Sequence, residues 1–227
     1  MNKIGTLEDF RKFAIDKGGV KPTVFDGQVA ATKNLITPYI LEERQLNVTQ
    51  MDVYSRLLFD RIIFLSGEVS QASMDTIVAQ LLYLDSIDER DINLYINSGG
   101  GDCYSGLELV SVMDFIKSDV STTVLGFAGS MAAVIATNGA KDKRFLLPYS
   151  RFMIHQPLSN FGYSKFTDSK IALAEMESVR NDLYEVLSKN SGKTFDQIVE
   201  LCENGDRFMK PSETIELGFC DKIVEKK

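Results

Sequence analysis

The 227-residue chain carries one histidine, three cysteines and no tryptophan, and its 25 Lys and Arg are outnumbered by 32 Asp and Glu. Each shortage excludes something. Cys103, Cys202 and Cys220 show no Cys-x-x-Cys spacing, and with His155 alone there is no zinc-ligand pattern, so neither a metal nor a cofactor is expected. An odd number of unclustered cysteines fits small buried apolar residues in a reducing compartment. The net charge of −7 argues against a phosphate-binding surface, and no nucleic-acid partner is expected. No run reaches the ~18 apolar residues of a membrane span; the most apolar region, Val124 to Ala136, is shorter and rich in Gly, Ala and Ser. The first twelve residues lack the apolar centre of a secretory signal and carry acids that a mitochondrial transit peptide avoids. A soluble cytoplasmic protein, with no membrane partner, is expected.

What is present reads as one sizeable α/β domain, long enough to bury on the order of 70% of its unfolded surface. Residues 1–33 mix charges, glycines and a proline without periodicity and read as an N-terminal extension; residues 34–227 form the domain. Arg61–Ser66 is a short strand, after which Met74, Ile77, Val78, Leu81 and Leu82 recur at helical spacing. Ile92–Asn97 is a second strand, followed beyond Gly99-Gly100-Gly101 by a helix with Leu109, Val112, Met113 and Ile116 on one face. Ser121–Gly126 is a third, with a helix from Ser130 to about Asn138. Strand and helix alternating through short glycine-rich turns imply parallel strands with helical crossovers and a functional edge at the strand C-termini. Shorter strands are expected at Arg144–Leu147 and Arg151–His155. A long helix then carries Met176, Val179, Leu183, Val186 and Leu187 as its stripe. A helical segment from Thr194, the stretch Asn204–Phe208, a short helix stopped by Gly218 and a closing strand at Asp221–Val224 complete the chain.

Two segments bear chemistry. His155 is the one side chain whose ordinary pKa lets it exchange a proton near neutrality. Ser130 follows a strand, behind Gly126 and Gly129, at the first turn of a helix. There the next backbone N–H, that of Met131, is placed to catch an oxyanion. A serine at that address is also a common N-cap. The Gly99-Gly100-Gly101 run is followed by Asp102-Cys103 where a phosphate loop needs Lys and Ser or Thr, so an extended peptide or carbonyl ligand fits it better. One of its N–H groups can supply a second oxyanion donor. A carboxylate must orient the histidine, and Asp206, Asp168 and Asp102 are all candidates on spacing.

Taken in order, several motifs resemble the proteolytic subunit of the Clp protease, a self-compartmentalised serine peptidase. They are Asp52-Val-Tyr-Ser-Arg-Leu-Leu58, Asp60-Arg-Ile-Ile-Phe-Leu65, Leu94-Tyr-Ile-Asn-Ser98 with its glycines, Asp119-Val-Ser-Thr122, Gly126–Ala132, Gly139-Ala-Lys141, Lys143-Arg-Phe145, Leu147-Pro148, Ser150-Arg151 and Met153–Leu158. The likeness runs from about Ile36 to the C-terminus. It implies Ser130 as nucleophile, His155 as general base, Asp206 as the orienting acid, and oxyanion donors from the N–H groups of Gly101 and Met131. It further implies a Clp-protease/crotonase-like α/β fold of repeated ββα units with a protruding helix-strand handle. The assembly would be two stacked seven-membered rings of this chain, fed with unfolded polypeptide by an ATP-dependent AAA+ unfoldase of the Clp type. Hydrophobic docking positions for that partner correspond to Tyr95, Phe115, Leu125, Phe145 and Leu147.

Three departures from the family pattern stand out. The usual Asn-Ser-Pro-Gly-Gly reads Asn97-Ser98-Gly99-Gly100-Gly101, which frees a φ angle that proline would hold. Asn204-Gly205 stands where relatives carry an acid and an arginine that help pair the rings, so a weaker or differently stabilised double ring is expected. Asn93 and Thr123 are polar at docking positions that are commonly apolar. The extension is longer than the family's usual propeptide and is expected to be removed autocatalytically. A catalytically silent ring subunit is a second reading, against which stand the three triad-type residues. An acyl-CoA enzyme on the related crotonase fold is a third, and it leaves those residues without a role.

Overall fold

The computed structural model describes residues 39–44, 47–159 and 165–225, with side chains from residue 51 onward. The 1–33 extension lies outside the described residues. The chain divides into two compact units, 1–56 and 57–227. In the first, β1 (Tyr39–Arg44) and β2 (Asn47–Asp52) pair antiparallel, and helix α1 (Val53–Phe59) starts after β2 and runs on past residue 56. Asp52 caps that start by accepting the Ser55 N–H at 3.1 Å.

The second unit is built from strand–helix repeats: β3 (Ile62–Val69), α2 (Gln71–Ile87), β4 (Ile92–Gly101), α3 (Cys103–Phe115), β5 (Val120–Gly129) and α4 (Met131–Thr137). Strands β6 (Arg144–Leu146) and β7 (Arg151–Ile154) precede the 26-residue helix α5 (Phe166–Ser191), then α6 (Phe195–Glu203), β8 (Arg207–Met209), α7 (Pro211–Glu216) and β9 (Lys222–Ile223). The expected α/β class with a mostly parallel sheet is the architecture observed. The long helix of the expected handle is α5; among the described residues no strand accompanies it.

Alternation decides which way each strand faces. Ile63 and Leu65 on β3, Ile92, Leu94 and Ile96 on β4, and Val120 and Val124 on β5 enter one core, against Met74, Ile77, Leu81 and Leu84 of α2 and Leu109, Val110 and Met113 of α3. The α2 stripe is therefore continued by Leu84, whereas Leu82, expected on it, is 43% exposed. On α5 the sequence stripe omits Tyr184, which is buried beside Leu183 and Leu187. Two buried arginines lock the edges. Arg61 donates to the carbonyls of Leu84, Asp88, Arg90 and Asp91, closing the C-terminal end of α2. Arg144 pairs with Asp221 and donates to the carbonyls of Thr137 and Asn190, joining β6 to the ends of α4 and α5.

The sheet order is β3-β4-β5-β6-β9, with β7 paired to β5 and β8 to β7. Strand β5 serves two neighbours in succession. Thr122–Val124 pair with β6, and Phe127–Gly129 pair with β7. At the changeover the β4–β5 register slips after Ile96, and the displaced Phe127 N–H donates to Asn97 Oδ1 at 3.1 Å. A Cβ on Gly126 would come within 2.7 Å of that same oxygen, which explains the glycine. The consequence is a small three-strand ledge, β5-β7-β8, projecting past the main core at the strand C-termini. Three strands run further than their sequence signals suggest, β3 reaching Val69. β4 continues through Gly100 and Gly101, which pair with Glu68 and Val69, and β5 reaches Gly129. Glycines read as turn punctuation are here strand residues.

Candidate active site

The ledge brings one chemistry-bearing residue to the end of each of its strands. Ser130 follows β5, His155 follows β7, and Asp206 precedes β8, which pairs antiparallel to β7 through Ile154 opposite Arg207. Ser130 N–H donates to the Met153 carbonyl at 2.9 Å, and the Ser130 carbonyl accepts the Ala133 N–H at 2.9 Å to open α4. Between these two bonds the chain turns sharply, and Ser130 has φ 53°, a left-handed conformation that a residue with a Cβ adopts at a cost of ~1–3 kcal/mol. Its side chain makes no cap bond to α4. Instead Ser130 Oγ lies 2.8 Å from His155 Nε2. The N-cap alternative is thereby removed by geometry.

His155 is mostly buried, its side chain 12% exposed, and its other nitrogen, Nδ1, lies 3.4 Å from Asp206 Oδ1. Asp206 is 60% exposed. The residue after the histidine is tied to the helix before Asp206 by a Gln156 N–H to Cys202 carbonyl bond of 3.1 Å. Of the other acids open on spacing, Asp102 is engaged as the N-cap of α3, accepting the Ser105 N–H at 2.8 Å and its hydroxyl at 2.6 Å. Asp168 stands in the first turn of α5. Neither approaches His155 as Asp206 does.

The glycine run meets the serine turn face to face. A Cβ on Gly100, whose φ is +93°, would fall 2.8 Å from Ser130 Cβ and 2.8 Å from the Met131 amide nitrogen. Only a residue without a side chain allows β4 to pass this close. Met131 opens α4, so its N–H belongs to the first helical turn, which has no intrahelical acceptor. Gly101 follows at φ +152°, packed so tightly on Val69 that a Cβ would sit 2.2 Å from that carbonyl oxygen. A cavity of about 580 Å³ opens beside Gly101, walled by Asp102, Cys103 and Tyr104 on one side and Ala172, Glu175 and Met176 of α5 on the other. Tyr104 donates to Glu175 Oε1 across it at 2.9 Å. Cys103 also lines the smaller cavity that holds Ser130 and His155.

The arrangement is suited to acyl transfer: an approachable hydroxyl on an imidazole, a carboxylate behind the imidazole, and the first-turn Met131 N–H beside the hydroxyl, with the glycine run of β4 passing close to it. The thiols are not suited to it. Burial pushes Cys202 and Cys220 up to about 12, and burial with the nearby Asp102 raises Cys103.

The positions implicated in partner docking lie elsewhere. Tyr95, Thr123 and Phe145 are register neighbours on the sheet face turned away from the core, with Leu125 and Leu147 further along it, all half-buried. Phe115 sits apart, at the end of α3, 81% exposed. Phe64, which the sequence reading passed over, extends this face by stacking on Tyr95 with centroids 5.5 Å apart. Phe64 is the register partner of Tyr95, and alternation along β3, which turns Ile63 and Leu65 into the core, was the signal that could have placed it on this face.

A family model described as "Clp protease" matches residues 44–227. The ATP-dependent Clp protease proteolytic subunit of Bacteroides fragilis (strain YCH46) is 44% identical over 97% of this chain and 100% of its own. That of Porphyromonas gingivalis (strain ATCC BAA-308 / W83) is 44% identical over 97% and 99%, and that of Streptococcus mutans (serotype c) 46% identical over 83% and 96%. With near-full coverage at this identity, and a site of the matching chemistry at the sheet edge, the chain belongs to the Clp protease family.

Proposed function

We propose that this chain is the proteolytic subunit of an ATP-dependent protease, a serine endopeptidase that cuts unfolded polypeptide through an acyl-enzyme. Ser130 is the nucleophile, His155 the general base and Asp206 its orienting acid. With Nδ1–H turned to Asp206, Nε2 accepts the Ser130 proton as Oγ attacks the scissile carbonyl carbon. The carbonyl oxygen gains the negative charge and is held by the N–H groups of Gly101 and Met131. When the C–N bond breaks, Nε2 returns the proton to the leaving amine. Water, deprotonated by the same imidazole, then releases the acid product and restores Ser130.

The observation that carries this reading is the 2.8 Å approach of His155 Nε2 to Ser130 Oγ with Asp206 at the opposite nitrogen. The open groove beside Gly101 supports an extended polypeptide as substrate. The names of the relatives, ATP-dependent proteolytic subunits, support an ATPase partner and self-assembly. On the family resemblance alone, the working form is two stacked seven-membered rings in the cytoplasm, with a Clp-type AAA+ unfoldase docked on the face of Tyr95, Leu125, Phe145 and Leu147 and on Phe115. Ring pairing is weaker than in relatives, or held by other contacts, because Asn204-Gly205 cannot form an ion pair.

The test is labelling with a fluorophosphonate probe followed by peptide mapping. Label on Ser130 that is lost in both Ser130→Ala and His155→Ala is expected. Assembled wild-type protein that takes no label would overturn the reading in favour of a silent subunit.

A further inference from the structure

Asp206 is poorly held by its own side chain. Among the described residues its carboxylate meets only His155, at 3.4 Å, and it is 60% exposed. Gly205 before it has φ +103°, and nothing lies within 4 Å of where its Cβ would be, so among the described residues the turn entering Asp206 is tied only at Asn204, whose Nδ2 donates to the Glu200 carbonyl at 2.8 Å, and no side chain packs on it at Gly205. The carboxylate is therefore positioned by the backbone that follows it. That backbone is β8, three residues paired to β7 alone. An edge strand so short holds register weakly by hydrogen bonds alone.

A second attachment crosses the same ledge. Phe208 lies on the side of β8 opposite the buried Met209, and its ring stacks on that of Phe127 from β5, with centroids 6.3 Å apart and planes 13° from parallel. In the pairing registers Phe127 lies opposite Arg151 and Phe208 opposite Met153, so the two rings reach each other over the face of β7. The Phe127 ring also covers Gly129, where a Cβ would come 2.6 Å from Cζ. One aromatic pair thus touches the residue before Ser130 and the second residue after Asp206, and it spans the strand that carries His155.

We infer that Phe127 and Phe208 are positioning residues, an aromatic clasp over β7 that holds Asp206 in register with His155. The inference rests on the triad reading above and deepens it. Loss of the clasp is felt through Asp206 and not through substrate binding, because neither ring lines the groove beside Gly101.

The experiment compares Phe127→Leu, Phe208→Leu and Phe208→Tyr in the full chain, each with Asp206 intact and as Asp206→Asn. The readouts are the rate of fluorophosphonate labelling and the kcat and KM for a fluorogenic peptide. Leucine keeps apolar volume but cannot stack; tyrosine can. Each leucine variant is expected to lower kcat and the labelling rate about tenfold with KM unchanged, tyrosine to retain the wild-type rate, and the leucine variants to cause no further loss in Asp206→Asn. Leucine variants at wild-type rate, or an equal loss with and without Asp206, would overturn the clasp while leaving the triad standing. Wild-type activity in Asp206→Asn alone would instead remove the triad role of Asp206, and the clasp with it.

Discussion

The Ser130 amide donates to the Met153 carbonyl at 2.9 Å, so the nucleophile is hydrogen-bonded to the strand that delivers its base. Two residues further along that strand is His155, and the pairing thereby sets the distance between hydroxyl and imidazole without any side chain taking part. The strained φ of Ser130 is held between this bond and the first bond of α4. Such over-determination is what keeps a costly backbone conformation in place.

Gly100 is where that turn is most exposed to damage. Gly100→Ala puts a Cβ 2.6 Å from the Gly129 carbonyl oxygen and 2.8 Å from both Ser130 Cβ and the Met131 nitrogen, at a φ of +93°. All three neighbours are main chain or rigidly attached to it, so the ledge must move. A loss of at least ~2 kcal/mol in stability and of 10²-fold or more in labelling of Ser130 is expected, read by urea unfolding and the fluorophosphonate probe. Gly67→Ala is the control: its φ is +87° but its surroundings are open, so only the ~1–2 kcal/mol conformational cost is expected, with labelling retained. Equal effects at both positions would show that close packing at Gly100 is irrelevant.

Asp206→Asn is expected to cost less than the loss of either reacting group. The carboxylate is exposed and 3.4 Å from Nδ1, so water competes for its partner and screens its charge. Removal of the serine or histidine should lower kcat by about 10⁶-fold, and removal of the acid by about 10⁴-fold or less. Peptide hydrolysis by the three single variants, each checked for assembly, measures the difference. An Asp206→Asn enzyme as dead as Ser130→Ala would mean that the acid does more than orient.

Much of this was legible in the sequence, for physical reasons. Short apolar runs placed β3 to β5, and apolar residues at helical spacing placed the helices between them, because such patterns encode burial. His155 stood out as the one histidine of the chain, and Ser130 because glycines precede it between a strand and a helix start. The choice of Asp206 over Asp102 and Asp168 did not follow from spacing. It depends on β8, three residues with one buried side chain, too short to leave a periodic signal. The extra length of β4 was hidden for a related reason: Gly100 and Gly101 have no side chains to alternate. Leu82 was assigned to the core because it falls at helical spacing, but a stripe through Met74, Ile77 and Leu81 is continued by Leu84, and Leu82 turns outward.

The thiols are expected to react in a fixed order. Burial pushes Cys202 and Cys220 up to about 12, and both are closed to solvent, while Cys103 is half-buried and raised by burial and then by Asp102. Only the thiolate alkylates. Iodoacetamide at pH 8 should therefore modify Cys103 slowly in the folded protein, faster as the pH is raised toward 10, and reach Cys202 and Cys220 only in denaturant. Mass spectrometry of the three cysteine peptides reads this directly, and equal modification of all three in the folded state would contradict the burial.

Acid should unfold the protein partly through Asp221. Burial by itself would raise its carboxyl, but hydrogen bonds from the Arg144 guanidinium and backbone N–H outweigh that and hold it below the ordinary value. In the unfolded chain the group takes a proton near ~3.9; in the folded protein it does so at lower pH. The unfolded state therefore binds more protons in that interval, and stability falls as the pH drops through ~4 toward the folded value, being fully present above ~5. Asp221→Asn removes this dependence and leaves the buried Arg144, 7% exposed, without its counter-charge. A loss of about 3 kcal/mol at pH 7 and a shallower decline below pH 5 are expected in urea titrations. A variant as stable as wild type at pH 7, with the same acid slope, would show that the Arg144 bonds to Thr137 and Asn190 carry this edge of the sheet without the ion pair.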